Sequence, residues 1–146
     1  MISALDVAQY ILLKLGPMTT MKLQKLVYYC EAWSLVWDEK RLFSEKIEAW
    51  ANGPVIPRLF NMHRKQFQVR RILGGNSRNL NAKQRETVDA VLEYYGDKSS
   101  QWLADLAHME DPWRLARKGL STGERGNREI TRASMMEYYS SLQPDS

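Results

Sequence analysis

The chain has 146 residues, of which 44% are hydrophobic and 26% are charged, and its formal net charge is +4. A chain of this length and composition forms one globular domain with a substantial core, which excludes the class of disordered proteins. The single cysteine excludes an internal disulfide, and charged residues interrupt every apolar run before it reaches the length of a membrane span. No N-terminal secretion signal is recognisable, so we expect a cytoplasmic protein.

Two helices are predicted in the first 37 residues. The stretch 3–6 has the form of a capping box, and the Gly-Pro pair at 16–17 ends the helix that follows it. Thr19 is placed to cap a second helix, which runs to about Trp37.

The second helix is apolar on two opposite sides. Its core stripe consists of Leu23, Leu26, Val27, Cys30, Trp33, Ser34 and Trp37. Its back face carries Met21, Tyr28, Tyr29, Ala32, Leu35 and Val36, and a polar strip of Gln24, Glu31 and Asp38 remains. Two interpretations stay open. We favour a central helix of the domain, and the alternative is that the aromatic back face contacts another protein.

The rest of the chain predicts one short β element and more helices. Residues 42–56 break the helical period and contain a Gly-Pro turn, so a short strand or hairpin is expected there. Helix starts are predicted near Pro57, Asn81, Ser100 and Thr131. The helix that starts near Ser100 should reach about Glu110, because Pro112-Trp113 follows directly and ends it.

The predicted fold class is therefore mainly α. We expect a single compact helical domain of about five or six helices, with a short β-strand or hairpin near residues 42–56. One domain should span residues 1–146, with a ragged end at residues 144–146.

The small net charge hides a segregated charge distribution. Residues 58–85 contain eight Lys or Arg and no Asp or Glu, so this basic segment has a charge of +8. Residues 86–113 contain seven acidic residues and one Lys, so this acidic segment has a charge of −6.

Three interpretations of the basic segment stay open. It could neutralise the phosphates of a nucleic acid while Phe60 and Phe67 stack on bases, although no DNA-reading module is recognisable. It could pair with the acidic segment inside the same chain, or it could steer and hold an acidic partner protein.

Motifs for catalysis are absent from the sequence. It contains no G-x-S-x-G, P-loop, G-x-G-x-x-G or H-E-x-x-H pattern. We interpret Cys30 as a buried thiol on the core stripe, His63 as a surface or partner contact, and His108 as a side chain that stabilises a helix C-terminus.

Two carboxylate pairs, Glu45 with Glu48 and Glu110 with Asp111, lack a third group that would make them an acid and a base. With two histidines and one cysteine far apart, a metal site is also not expected. We therefore expect a protein that is not an enzyme and needs no metal or other cofactor.

Four stretches, taken in order, resemble one protein family. They are MTTMKLQKLVYYCEAW at 18–33, EAWANGPVIPRLF at 48–60, LEYYG at 92–96 and LAHMEDPWRLAR at 106–117. Together they resemble the Panacea domain of SocA-like antitoxins and phage-associated proteins, from about residue 5 to residue 139.

The resemblance implies a bacterial or prophage protein that serves as the antitoxin of a toxin-antitoxin system. Such a protein neutralises a cognate protein toxin by direct binding, without catalysis, and the family supplies no catalytic residues. The SocA branch also delivers its toxin to the ClpXP protease, and the resemblance leaves this adapter role open. The alternative is a small nucleic-acid-binding regulator that uses residues 58–85, and a membrane partner is not expected.

The predicted site residues fall into two groups. The expected partner contacts are exposed side chains of the basic segment: Arg58, His63, Arg64, Lys65, Arg70 and Arg71. The expected structural residues lie in the matching stretches: Trp50, Gly53, Pro54, Pro112 and Trp113. Of these, Gly53-Pro54 should set a backbone turn, and Pro112-Trp113 should stop a helix and fill the core.

Overall fold

The structure, a computed structural model, describes residues 1–143, and the ragged end expected at 144–146 lies outside this range. The described residues form seven helices: α1 (Ala4–Leu15), α2 (Thr20–Trp37), α3 (Pro57–His63), α4 (Ala82–Tyr95), α5 (Ser100–Met109), α6 (Asp111–Ala116) and α7 (Arg132–Ser141). Four short strands, β1 (Met18–Thr19), β2 (Glu48–Trp50), β3 (Gly53–Val55) and β4 (Gln68–Val69), pair antiparallel as β1 with β4 and β2 with β3. The mainly α prediction is confirmed, with one helix more than the expected five or six.

Side-chain caps define where the helices start. Ser3 Oγ accepts a hydrogen bond from the Asp6 amide, and Asp6 Oδ2 accepts one from the Ser3 amide, which closes the predicted capping box. Asn81 and Gln84 form the same reciprocal pair at the start of α4. Gly16, with a φ of 85°, ends α1 in the left-handed region that glycine tolerates.

Helix α2 lies at the centre of the fold, which confirms the favoured interpretation. Helices α1, α4, α5 and α7 and strand β3 all pack against it. Tyr28 and Tyr29, on its back face, are fully buried inside this chain, so the alternative that these two rings contact another protein is wrong. At 18 residues α2 is also the longest helix, and none within residues 1–143 is long and apolar enough to cross a membrane.

Two members of the polar strip, Gln24 and Glu31, are buried as well. Glu31 accepts hydrogen bonds from the amides of Leu42 and Phe43 and pairs with Arg132 Nε at 2.7 Å. Arg132 also donates to the carbonyls of Phe43 and Glu45. A buried carboxylate with these partners is satisfied, and it ties α2 to α7 and to the segment before β2.

The region around Pro112 differs from the prediction. Helix α5 ends at Met109, Glu110 is extended, and a separate short helix, α6, contains Pro112 and Trp113. Proline is tolerated in the first turn of a helix, where its missing N–H is not needed, so Pro112 begins a helix as well as following one.

The predicted hairpin is present, and a second strand pair was not predicted. Ala49 faces Pro54 across β2 and β3, and the two-residue turn between the strands is 51–52. Gly53, with a φ of 124°, and Pro54 follow the turn and begin β3, so they do not form the turn as expected. The second pair joins Met18 to Val69 and brings the basic segment to the N-terminal end of α2. Two-residue strands carry too little periodicity to be recognised in a sequence.

Candidate functional site

Five exposed cations in the first part of the basic segment, residues 58–71, form one candidate site, which we call the basic surface. Its members are Arg58, Arg64, Lys65, Arg70 and Arg71. All five are exposed, and none makes an ion pair within 4 Å to any of residues 1–143. Exposed, unpaired cations remain available to an acidic partner.

The backbone beneath the basic surface is held in place although its side chains are free. The Gln66 amide donates to the carbonyl of His63, and the Thr20 amide donates to the carbonyl of Phe67. Val69, the second residue of β4, is buried. The loop that presents the cations is therefore tied to α2 and α3, which reduces the entropy that binding would cost.

An exposed aromatic residue, Phe67, lies between these cations in the sequence. Phe67 is 78% exposed, and Leu73, shortly after Arg71, is 65% exposed. Large exposed apolar side chains beside Arg are typical anchors in protein interfaces.

His63 does not lie where the sequence analysis placed it. It is 3% exposed, because it follows Leu59 by four residues and so shares the inward face of α3. Burial lowers the pKa of His63 below its usual value, so the ring is neutral at pH 7. The expectation that His63 is an exposed contact is wrong.

The proposed pairing of the basic and acidic segments within the chain is not seen in residues 1–143. The ion pair of Lys83, near the end of the basic segment, is with Asp38 rather than with residues 86–113. The acidic segment pairs instead with Lys14, with Lys98 and with Arg114.

A second candidate site is a cleft of about 670 Å³ that is lined by residues of α2, α3 and the β2–β3 hairpin. Helix α2 contributes Gln24 and Lys25, the hairpin contributes Trp50 and Val55, and α3 contributes Phe60 and His63. All of these residues except His63 come from two of the stretches that carry the family resemblance, 18–33 and 48–60.

Gln24 organises the floor of this cleft. Its Oε1 accepts from the Ile56 amide at 2.8 Å, and its Nε2 donates to the Ile56 carbonyl and to Nε2 of His63. Because the Ile56 amide must donate, this orientation of the Gln24 amide follows from the network, and Nε2 of His63 must accept. The neutral His63 ring therefore carries its proton on Nδ1.

Lys25 is the most unusual side chain of the cleft. It is 1% exposed, and within residues 1–143 its ammonium has neither a hydrogen bond nor an ion pair. Burial lowers its pKa from 10.5 to about 8. The side chain passes under the hairpin turn, where a Cβ on Gly53 would stand 2.6 Å from Lys25 Cε.

The expected structural residues surround the hairpin. Pro54 and Pro112 are buried, and Trp113 Nε1 donates to the carbonyl of Trp50 at 2.8 Å. The Trp113 ring also stacks on His108, with ring centroids 4.2 Å apart. The histidine at the end of α5 thus packs against α6, and burial lowers the pKa of His108.

The carboxylates considered for acid-base chemistry have structural partners. Glu110 is buried and accepts hydrogen bonds from the hydroxyls of Tyr29 and Tyr139, both at 2.7 Å. Glu45 accepts from the Ala4 amide at the start of α1, and Glu48 accepts from Trp50 Nε1.

The thiol of Cys30 is fully buried, and burial raises its pKa, so it is not a thiolate at neutral pH. Within the described part of the chain, no three His, Cys, Asp or Glu side chains are grouped so that they could hold a metal ion.

From the sequence, Gln24 was assigned only to the polar strip of α2, and Lys25 was not recognised as a site residue. Their burial could have been inferred from their position in a helix that has apolar residues on two opposite sides. Such a helix packs against neighbours on both sides, so its polar side chains are buried as well. What the sequence could not provide was the hairpin that closes over them.

Comparison with known protein families matches residues 23–114 to the family described as antitoxin SocA-like, Panacea domain. The matched range is more than half of the chain and contains the whole basic surface. No curated protein and no solved structure gives a significant match.

Proposed function

The chain belongs to the Panacea-domain family of SocA-like antitoxins, and from this premise we propose that it neutralises a cognate protein toxin by direct binding. Under this proposal it is the antitoxin of a bacterial or prophage toxin-antitoxin system and works in the cytoplasm. It is a binding protein and not an enzyme, and it needs no cofactor.

The observation that carries this proposal is the basic surface. Five exposed cations without ion pairs in residues 1–143 flank the exposed Phe67 in the sequence, on a backbone anchored to α2 and α3. Such a surface attracts an acidic protein over a distance and offers an apolar anchor at contact. We therefore propose that the toxin presents an acidic patch to this surface.

The test begins with co-expression of the neighbouring gene, with and without this chain, followed by measurement of growth and co-purification. The antitoxin proposal requires that the neighbour stops growth, that this chain restores growth, and that the two products co-purify. A harmless neighbour, or a toxic one that this chain neither rescues nor binds, contradicts the proposal for that gene product.

A pair of matched double variants tests the role of the basic surface. Arg70→Glu with Arg71→Glu should weaken toxin binding at least tenfold, because two attractive charges become repulsive. Lys40→Glu with Arg41→Glu is the control, since these exposed residues follow the C-terminal end of α2. An 18-residue helix is about 27 Å long, which separates the control from β1 and β4. Equal affinities of both variants would contradict the assigned surface.

Delivery of the bound toxin to the ClpXP protease would be a further step after binding. It predicts a shorter lifetime of the toxin in cells that contain both this chain and ClpXP than in cells that lack the protease. An unchanged lifetime would limit the protein to neutralisation by binding.

A further inference from the structure

The cleft lined by α2, α3 and the hairpin contains a buried cation without a counter-ion. Lys25 is 1% exposed and lines the cleft, yet no carboxylate of residues 1–143 comes within 4 Å of its ammonium. Lysine is almost never fully buried unless it is paired, because removing an ammonium from water is costly. An anion bound in the cleft would supply the counter-ion that the Lys25 ammonium lacks.

The walls of the cleft are suited to an apolar group. Met21, Trp50, Val55 and Phe60 line it, and the Trp50 and Phe60 rings are in edge-to-face contact with centroids 4.9 Å apart. The volume of about 670 Å³ lies within the range of small-ligand sites.

The charges facing Lys25 are few. Glu48 of β2 and Arg125 of the loop after α6 also line the cleft, and Glu48 Oε1 accepts a hydrogen bond from Trp50 Nε1 at 2.8 Å. His63 of α3 and His108 of α5 sense the charge of Lys25, and burial keeps both rings neutral at pH 7. The lining therefore has one net positive charge, which a single negative charge neutralises.

We propose that this cleft binds a carboxylate attached to an aromatic or apolar body, with the Lys25 ammonium as its counter-ion. The carboxylate lies against Lys25 and the apolar body packs against the wall formed by Trp50 and Phe60. A phosphate group fits less well, because its second charge would meet Glu48 with no further buried cation to offset it. The proposal rests on the cleft alone and does not depend on toxin binding.

The state of Lys25 makes this binding sensitive to pH. The ammonium is needed, and with a pKa of about 8 its protonated fraction falls about tenfold between pH 7 and pH 9. His63 and His108, whose pKa values are lowered by burial, are neutral throughout this range. Affinity for a carboxylate should therefore fall about tenfold from pH 7 to pH 9.

The experiment titrates the purified full chain with phenylacetate and with its neutral isostere phenylacetamide, by calorimetry or ligand-observed NMR at pH 7. We expect phenylacetate to bind at least tenfold more tightly than phenylacetamide. Lys25→Met, which keeps the length of the side chain and removes its charge, should abolish that preference. Lys22→Met, on the same helix but outside the cleft lining, should retain it.

Several results would overturn the proposal. These are absence of phenylacetate binding up to tens of millimolar, equal binding of phenylacetate and phenylacetamide, or an unchanged preference in folded Lys25→Met. If Lys25→Met does not fold, the wild-type protein still decides, because an affinity for phenylacetate that is equal at pH 7 and pH 9 contradicts the role of Lys25.

A second arm identifies the source of the carboxylate. The blocked dipeptide acetyl-Asp-Phe-amide is compared with acetyl-Asn-Phe-amide at pH 7. If the Asp peptide binds more tightly than phenylacetate and the Asn peptide does not bind, the occupant is a protein segment. If phenylacetate binds and both peptides are excluded, the occupant is a free small carboxylate.

Discussion

At the scale of single residues, the buried ammonium of Lys25 lowers the stability of the folded protein. Because its folded-state pKa of about 8 lies below the usual 10.5, the unfolded chain binds more protons at this site between these values. The penalty is full below pH 8 and is relieved as pH rises toward 10.5. We predict that Lys25→Met raises the free energy of unfolding at pH 7 by up to about 3 kcal/mol, with a smaller gain at pH 9.5, measured by urea unfolding.

Lys22→Met is the control for this prediction, since Lys22 is half-exposed on the same helix and its replacement should change stability by less than about 0.5 kcal/mol. Titration of buried tyrosines affects the wild type and Lys25→Met alike and cancels in their difference. A Lys25→Met variant that is less stable than the wild type at pH 7 would show that the ammonium is satisfied. If Lys25→Met is more stable than the wild type, the lysine is retained for binding rather than for stability.

A second prediction compares a buried ion pair with an exposed one. Arg132→Met leaves the fully buried Glu31 without its counter-ion, so it should destabilise the fold by about 3–5 kcal/mol. Arg114→Met removes an exposed 3.6 Å pair with Asp111 and should cost at most about 1 kcal/mol. Urea unfolding at pH 7 measures both.

The pH dependence of the Arg132→Met variant gives an independent check. Burial already raises the pKa of Glu31, and loss of Arg132 raises it further, so Glu31 takes up a proton on folding. The cost of Arg132→Met should therefore be smaller at pH 5 than at pH 8. Similar costs for Arg132→Met and Arg114→Met would mean that Glu31 finds another partner.

At the scale of elements, short sequence motifs predicted those structures that depend on residues close together in the chain. The capping boxes at Ser3 and Asn81 specify their own backbone, so the starts of α1 and α4 were predicted correctly. The hairpin was predicted within residues 42–56, although its turn lies at 51–52, just before Gly53-Pro54. The pair of β1 with β4, the inward face of α3 at His63 and the closure of the hairpin over Lys25 depend on contacts distant in sequence. Such contacts have no local signature, which is why the cleft could not be predicted.

The segment that carries the basic surface also contains the exposed side chain of Phe67, whose role in binding can be tested. Phe67 is 78% exposed, so Phe67→Ala should leave the free energy of unfolding within about 0.5 kcal/mol of the wild type. If Phe67 anchors the toxin, the same variant should weaken toxin binding at least tenfold, measured by calorimetry. Tyr94→Ala, at a 61% exposed aromatic of α4, is the matched control. Equal affinities of these two variants would remove Phe67 from the interface.

At the scale of the whole molecule, segregated charge should govern how a partner approaches. The segments 58–85 and 86–113 carry +8 and −6, and no ion pair within residues 1–143 joins them, so the molecule turns its basic side toward an acidic partner. We predict that the association rate with the toxin falls at least tenfold between 20 and 500 mM salt, while the dissociation rate changes much less. Stopped-flow mixing measures both rates. The Arg70→Glu, Arg71→Glu variant should associate slowly at low salt and depend less on salt, whereas the Lys40→Glu, Arg41→Glu control should respond as the wild type does. An association rate independent of salt would mean that the basic surface does not steer the toxin.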